Sequence, residues 1–263
     1  MSTSPTAPAA LELVRPFAKL SRADVAYAGG KGANLGELTA AGLPVPPGFV
    51  VGAPAYAAFR TESGVREQLA TILADVDVED SQALDAASQA AREAVLAAAM
   101  PASLRSAILA AHAELVAAVP AAAPGAEVAT SGAAAVNGAG VGGAHANGRA
   151  QVAVAVRSSA TAEDTASASF AGMNETYLNV TAPEEVIDAV KKCWASLFGA
   201  RTIYYRGRRG FSQADMDIAV VVELQIPSTR SGVMFTVDPA SGARDHLVIE
   251  GSFGLGEAVV SGS

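Results

Sequence analysis

Residues 152–180 read VAVAVRSSATAEDTASASFAGMNETYLNV, and their reading decides what the rest of the chain must build. Valine and alanine alternate up to Arg157, which predicts a buried strand ending on a cation. The run of Ser, Thr, Ala and Gly that follows predicts a mobile loop, and TYLNV at 176–180 resumes a strand. Arginine suits phosphate because its planar fork donates two parallel charge-assisted hydrogen bonds, while small loop residues let backbone approach oxygen closely. The competing reading pairs Arg157 with Glu163 or Asp164 as an ordinary strand-end salt bridge.

Outward from this stretch, composition narrows the function classes. The chain has 263 residues, 26 acidic against 18 basic, and a net charge of −8. That balance lacks the basic stripe of a nucleic-acid binder, so an anionic ligand must be met by locally placed cations. Cys193 is the only cysteine, which forbids an internal disulfide, and no apolar run is long enough to span a bilayer. The N-terminus has neither a basic nor a continuous apolar leader segment. A reducing cytoplasm is therefore expected, with neither nucleic acid nor membrane as partner.

Residues 118–150 divide the chain: 20 of these 33 are alanine or glycine, too little to offset the entropy of ordering, so a flexible insert is expected. Before it, 1–117 reads as a largely helical lobe; after it, 151–263 reads as a strand-rich lobe. In the first, residues 31–41 predict a short helix with Leu35 and Leu38 inward and Gly42 as its stop, followed by the extended LPVPPGFVV. Further helices are predicted over 65–74, 81–100 and 101–117. In the second, Thr181 and Glu184 form a capping-box pattern before a helix with an apolar face of Val186, Val190, Cys193, Trp194, Leu197 and Phe198. DIAVVVELQI, GVMFTV and HLVIEG predict three more strands.

Two glycine-rich stretches bear on chemistry. In AGGKGANLGEL, Gly29, Gly30 and Gly32 surround Lys31 just before a helix, which aims backbone N–H groups, a helix dipole and an ammonium at one anion. Neither the Walker A nor the dinucleotide spacing is met, and a glycine turn beside a solvated lysine is the alternative. SFGLGEAVVSG is weaker and reads best as tight turn packing. His112, His145 and His246 have no metal-ligand spacing, and Cys193 reads as a buried structural thiol.

Taken in order, GGKGANLGEL, AVRSSATAEDTASASFAGMNETYLNV, CWASLF, SGVMFTVDP and SFGLGEAVVSG resemble the N-terminal nucleotide-binding domain of the phosphoenolpyruvate synthase and pyruvate phosphate dikinase family. Rifampicin phosphotransferase is a close relative within it. The resemblance implies an α+β, ATP-grasp-like fold of two lobes, truncated at its C-terminal end. It implies that Lys31 and Arg157 hold the ATP phosphates, that Gly172 and Thr176 flank the nucleotide, and that Glu223 reaches the adenine end. Relatives usually carry glutamine at the Glu223 position; a carboxylate accepts from the adenine amino group but cannot donate.

The implied reaction passes the β-phosphoryl group of ATP, with Mg²⁺, to a histidine on a separate domain and then to pyruvate, releasing AMP and phosphate. The phosphohistidine, the acceptor domain and the acidic metal ligands are expected beyond the equivalent of Ser263. No catalytic residue or metal ligand is expected in this chain, and it is expected to be inactive alone. The alternatives are the ATP-binding domain of a rifampicin phosphotransferase, or a non-catalytic nucleotide-binding fragment.

Overall fold

A computed structural model describes residues 12–119, 152–161, 175–209 and 216–261. Along the chain these form β1 (Val14–Pro16), α1 (Val25–Ala40), β2 (Gly48–Val51), α2 (Ala53–Glu62), α3 (Val65–Leu73), α4 (Ser81–Ala97) and α5 (Ala102–Ala117). Then come β3 (Val154–Ala160), β4 (Thr176–Val180), α6 (Pro183–Ala195), α7 (Ala200–Arg209), β5 (Ile218–Leu224), β6 (Arg230–Phe235), β7 (Val248–Phe253) and α8 (Glu257–Ser261). The architecture is mixed α and β, with antiparallel sheets as its frame. No single helix among the described residues is long and apolar enough to cross a membrane.

Five strands form one sheet in the order β1-β2-β5-β3-β4. Its centre is β5, whose IAVVVEL is buried on both faces because helices cover both, and a doubly covered strand needs no polar alternation. On one face Phe49, Val51, Val154, Val156, Val220 and Val222 meet Tyr56, Phe59, Leu104, Ile108 and Trp194 from the helices. On the other, Val50, Ala219 and Val221 meet Ala28 of α1 together with Phe17 and Leu20. Each fully buried large apolar side chain contributes about 1.5–3 kcal/mol.

The division expected at residues 118–150 is not where the described chain separates. β2 pairs with β5 in the register Phe49↔Val222, so strands from both sides of that segment share one sheet. The compact units are Met1–Leu224 and Gln225–Ser263. The second contains its own two-stranded sheet, β6 against β7, with Val233 opposite Glu250. The expected insert lies outside the described residues apart from its first two positions; of the expected loop only residues 158–161 are described, and Ser158–Ala160 continue β3 in register with β5 instead of forming a loop.

Local chemistry explains several boundaries. In α6 the cap is made by Glu185, not by Glu184 as the spacing predicts. Pro183 occupies the first turn and Ala182 the capping position, so the Glu185 carboxylate accepts from the backbone N–H groups of Thr181 and Ala182, both at 2.9 Å. Those donors hold its carboxyl below the usual carboxylate range. Glu184 instead pairs with Arg105. The predicted apolar face of this helix is buried throughout, with Leu197 and Phe198 in the tight turn that follows it. Burial pushes the Cys193 thiol well above its ordinary range, so it is packing material.

Candidate functional site

The site begins at a break in α1. Gly29 takes φ 68° and ψ 173°, so residues 25–28 form one short segment and a second helix starts at Gly30, one residue before Lys31. That backbone conformation favours glycine. A Cβ at Gly29 would also collide with the hydroxyl and carbonyl of Ser159. The helix after the break presents Gly32 and Gly36 to the sheet side; a Cβ on Gly36 would stand 2.6 Å from Leu20. Hence the buried stripe is glycine and alanine. Leu35 packs beside it, but Leu38 is exposed, contrary to expectation.

Ser159 closes the break. Its hydroxyl donates to the Ala28 carbonyl at 2.8 Å and accepts from the Gly32 N–H at 3.3 Å. Arg157 lies two residues earlier on the same strand, β3, and therefore on the same face. Thr176 on β4 is its direct cross-strand partner. Tyr177 and Val180 both pack with the core of the other face, which a regular strand cannot do at that spacing. Asn179, at φ 57°, absorbs the extra residue as a bulge, leaving Thr176 on the Arg157 face.

Glu223 joins the same face from β5. The Arg157 guanidinium donates to its carboxylate at 3.1 Å. The carboxylates weighed as partners from the sequence, Glu163 and Asp164, lie outside the described residues, as does Gly172. Among the described residues the Arg157 Nε is buried with no acceptor. Lys31 is half-buried, and its positive charge favours the Cys193 thiolate against the desolvation of that thiol. Glu175 is tied to β3, its N–H donating to the Ser158 hydroxyl at 2.9 Å.

Arg157, Thr176 and Glu223 are thus gathered on one face of the sheet, and α1, which carries Lys31, packs on that face. Sequence reasoning missed Ser159. Its signal was available: position 159 shares a strand face with Arg157, and small residues at 29 and 32 permit a close approach. No three His, Cys, Asp or Glu side chains converge as a metal site among the described residues, so none is assigned to Mg²⁺.

A glycine-started helix turn carrying Lys31, tied by Ser159 to the strand carrying Arg157, is the frame of this α+β unit's candidate site. The family model for the pyruvate phosphate dikinase AMP/ATP-binding domain matches residues 25–137 and 135–263, and the chain belongs to that family. It is 41% identical over 247 residues to a probable phosphoenolpyruvate synthase of Methanothermobacter thermautotrophicus, covering 94% of this chain and 32% of that protein. It is 47% identical over 246 residues to a probable phosphoenolpyruvate synthase of Archaeoglobus fulgidus, covering 94% and 29%. A rifampicin phosphotransferase of a Streptomyces species is 37% identical over 251 residues, covering 95% and 25%. The chain therefore spans about a third or less of the length of these relatives.

Proposed function

We propose that the chain is the ATP-binding part of a phosphoenolpyruvate-synthase-like dikinase, with an ATP-grasp-like arrangement. Lys31 and Arg157 hold the phosphates, Gly172 and Thr176 flank the nucleotide, and Glu223 faces the adenine end. The observation that carries the reading is the Ser159 bridge, which ties the turn beginning beside Lys31 to the strand carrying Arg157. The Arg157 Nε, which has no acceptor among the described residues, supports it.

In this reading the histidine on another domain displaces AMP at the β-phosphorus, a water molecule takes the γ-phosphoryl group as phosphate, and the β-phosphoryl group left on the histidine then passes to pyruvate. Such transfers depend on positioning and charge neutralisation, so the two cations act as clamps with no covalent role. Mg²⁺ would supply further neutralisation at the phosphate oxygens. The compartment proposed is the cytoplasm, which suits the lone buried thiol. The similarity to a rifampicin phosphotransferase supports a second reading in which the final acceptor is that antibiotic. The ATP-binding residues are proposed to be shared, so the acceptor is decided by other domains.

The test is calorimetric titration of the chain with ATP and Mg²⁺, followed by assay of the full-length gene product for acid-labile phosphoprotein. ATP binding and a labile phosphohistidine are expected. A full-length product that never becomes phosphorylated contradicts the enzyme reading and leaves a nucleotide-binding module.

A further inference from the structure

Ser159 is fully buried, and its hydroxyl stands where α1 is interrupted. Ala28 and Gly32, which it bridges, are the pair whose C=O and N–H an unbroken α-helix joins directly. A side chain inserted into that ladder is a recognised cause of a kink. The inserting residue here comes from a strand 127 residues away in sequence. The second segment of α1 is consequently set by β3 as well as by the preceding turn.

A hydroxyl is the group this position requires, since it donates and accepts at once. Alanine would leave the Ala28 carbonyl and the Gly32 N–H facing each other across a gap. Lys31 lies two residues beyond Gly29, and Arg157 two residues before Ser159. Any slip between α1 and β3 therefore alters the spacing of the two cations.

We propose that Ser159 is a positioning residue, whose hydroxyl fixes the turn carrying Lys31 to the strand carrying Arg157 so that both cations address one triphosphate. This rests on the nucleotide reading above. A purely architectural serine would affect unfolding without changing what Lys31 contributes to binding.

The experiment titrates ATP with Mg²⁺ into the full chain, Ser159→Ala, Lys31→Ala and the double variant, at a temperature where circular dichroism shows all four folded. Ser159→Ala is expected to weaken ATP binding roughly tenfold, and Lys31→Ala to cost less in the Ser159→Ala background than in the unmodified chain. Unchanged affinity in Ser159→Ala, or losses that simply multiply, overturn the proposal while leaving the ATP site in place. An unmodified chain that does not bind ATP overturns the nucleotide reading and this proposal together. Should Ser159→Ala fail to fold, hydrogen exchange on the unmodified chain decides. ATP is expected to slow the amides of 30–33 and 157–159 together, and slowing of one segment alone overturns the proposal.

Discussion

Arg157 and Glu223 are diagonal neighbours on the β3–β5 ladder, where Arg157 stands opposite Val221, and they form an ion pair at 3.1 Å. The arginine side chain is 39% exposed and the glutamate 12%. A pair open to water on one side contributes about 0.2–1 kcal/mol, which a polyanion in the same place can exceed. The contact also bears on the proposed roles. Arg157 on the phosphates and Glu223 on the adenine would meet opposite ends of ATP, so the pair is expected to open when nucleotide binds.

Glu223→Gln is therefore expected to tighten ATP binding by roughly two- to fivefold, since the competing carboxylate is neutralised while its carbonyl still accepts from the adenine amino group. Calorimetry of the two chains side by side measures this. A weakened affinity would show that the Glu223 charge itself supports the ligand.

Trp194 anchors the main core. Its ring lies 4.7 Å from that of Phe59 and 5.4 Å from that of Tyr56. Trp194→Ala is expected to cost about 3–5 kcal/mol of folding free energy, because a tightly packed site collapses only in part around so large a deletion. Urea unfolding reads the loss directly, and a cost under about 1 kcal/mol would contradict this packing.

His112 is buried in α5, with its Nε2 lacking a partner among the described residues, and burial lowers its pKa from the ordinary value of 6.5. The folded chain therefore favours the neutral ring. Its contribution is fully present above the unfolded pKa and is lost as pH falls below 6.5 toward the lower folded value. The unfolding free energy is expected to drop across that interval more steeply in the unmodified chain than in His112→Phe. Parallel curves for the two would remove His112 as the cause.

How far the sequence speaks for this structure varies by element. Strand β3 is legible from its Val/Ala run, although it continues through Ser158–Ala160 where the small polar residues predict a loop, and α6 is legible because its apolar face repeats at helical spacing. The partnership of β2 with β5 is not, since Gly48 pairs with Glu223 across most of the unit and periodicity says nothing about which strands meet. α1 misleads for another reason. A stripe sought in leucines misses Gly32 and Gly36, which are buried because they permit close approach, while Leu38 faces water. The Glu184 pattern fails by one residue because Pro183 moves the helix start. Within the candidate site, Arg157 is suggested by its own sequence context and Thr176 and Glu223 only by the family resemblance, while their gathering on one face follows from register and from the Asn179 bulge.

The central claim is that Lys31 and Arg157 bind the same triphosphate. It is tested most directly by titrating ATP with Mg²⁺ into the chain, Lys31→Ala, Arg157→Ala and the double variant. Each single substitution is expected to remove a charged hydrogen bond worth about 1.5–3 kcal/mol, roughly a 10- to 150-fold loss of affinity, and the double to depart from additivity because the groups share one ligand. Affinity unchanged in either single variant would contradict the claim.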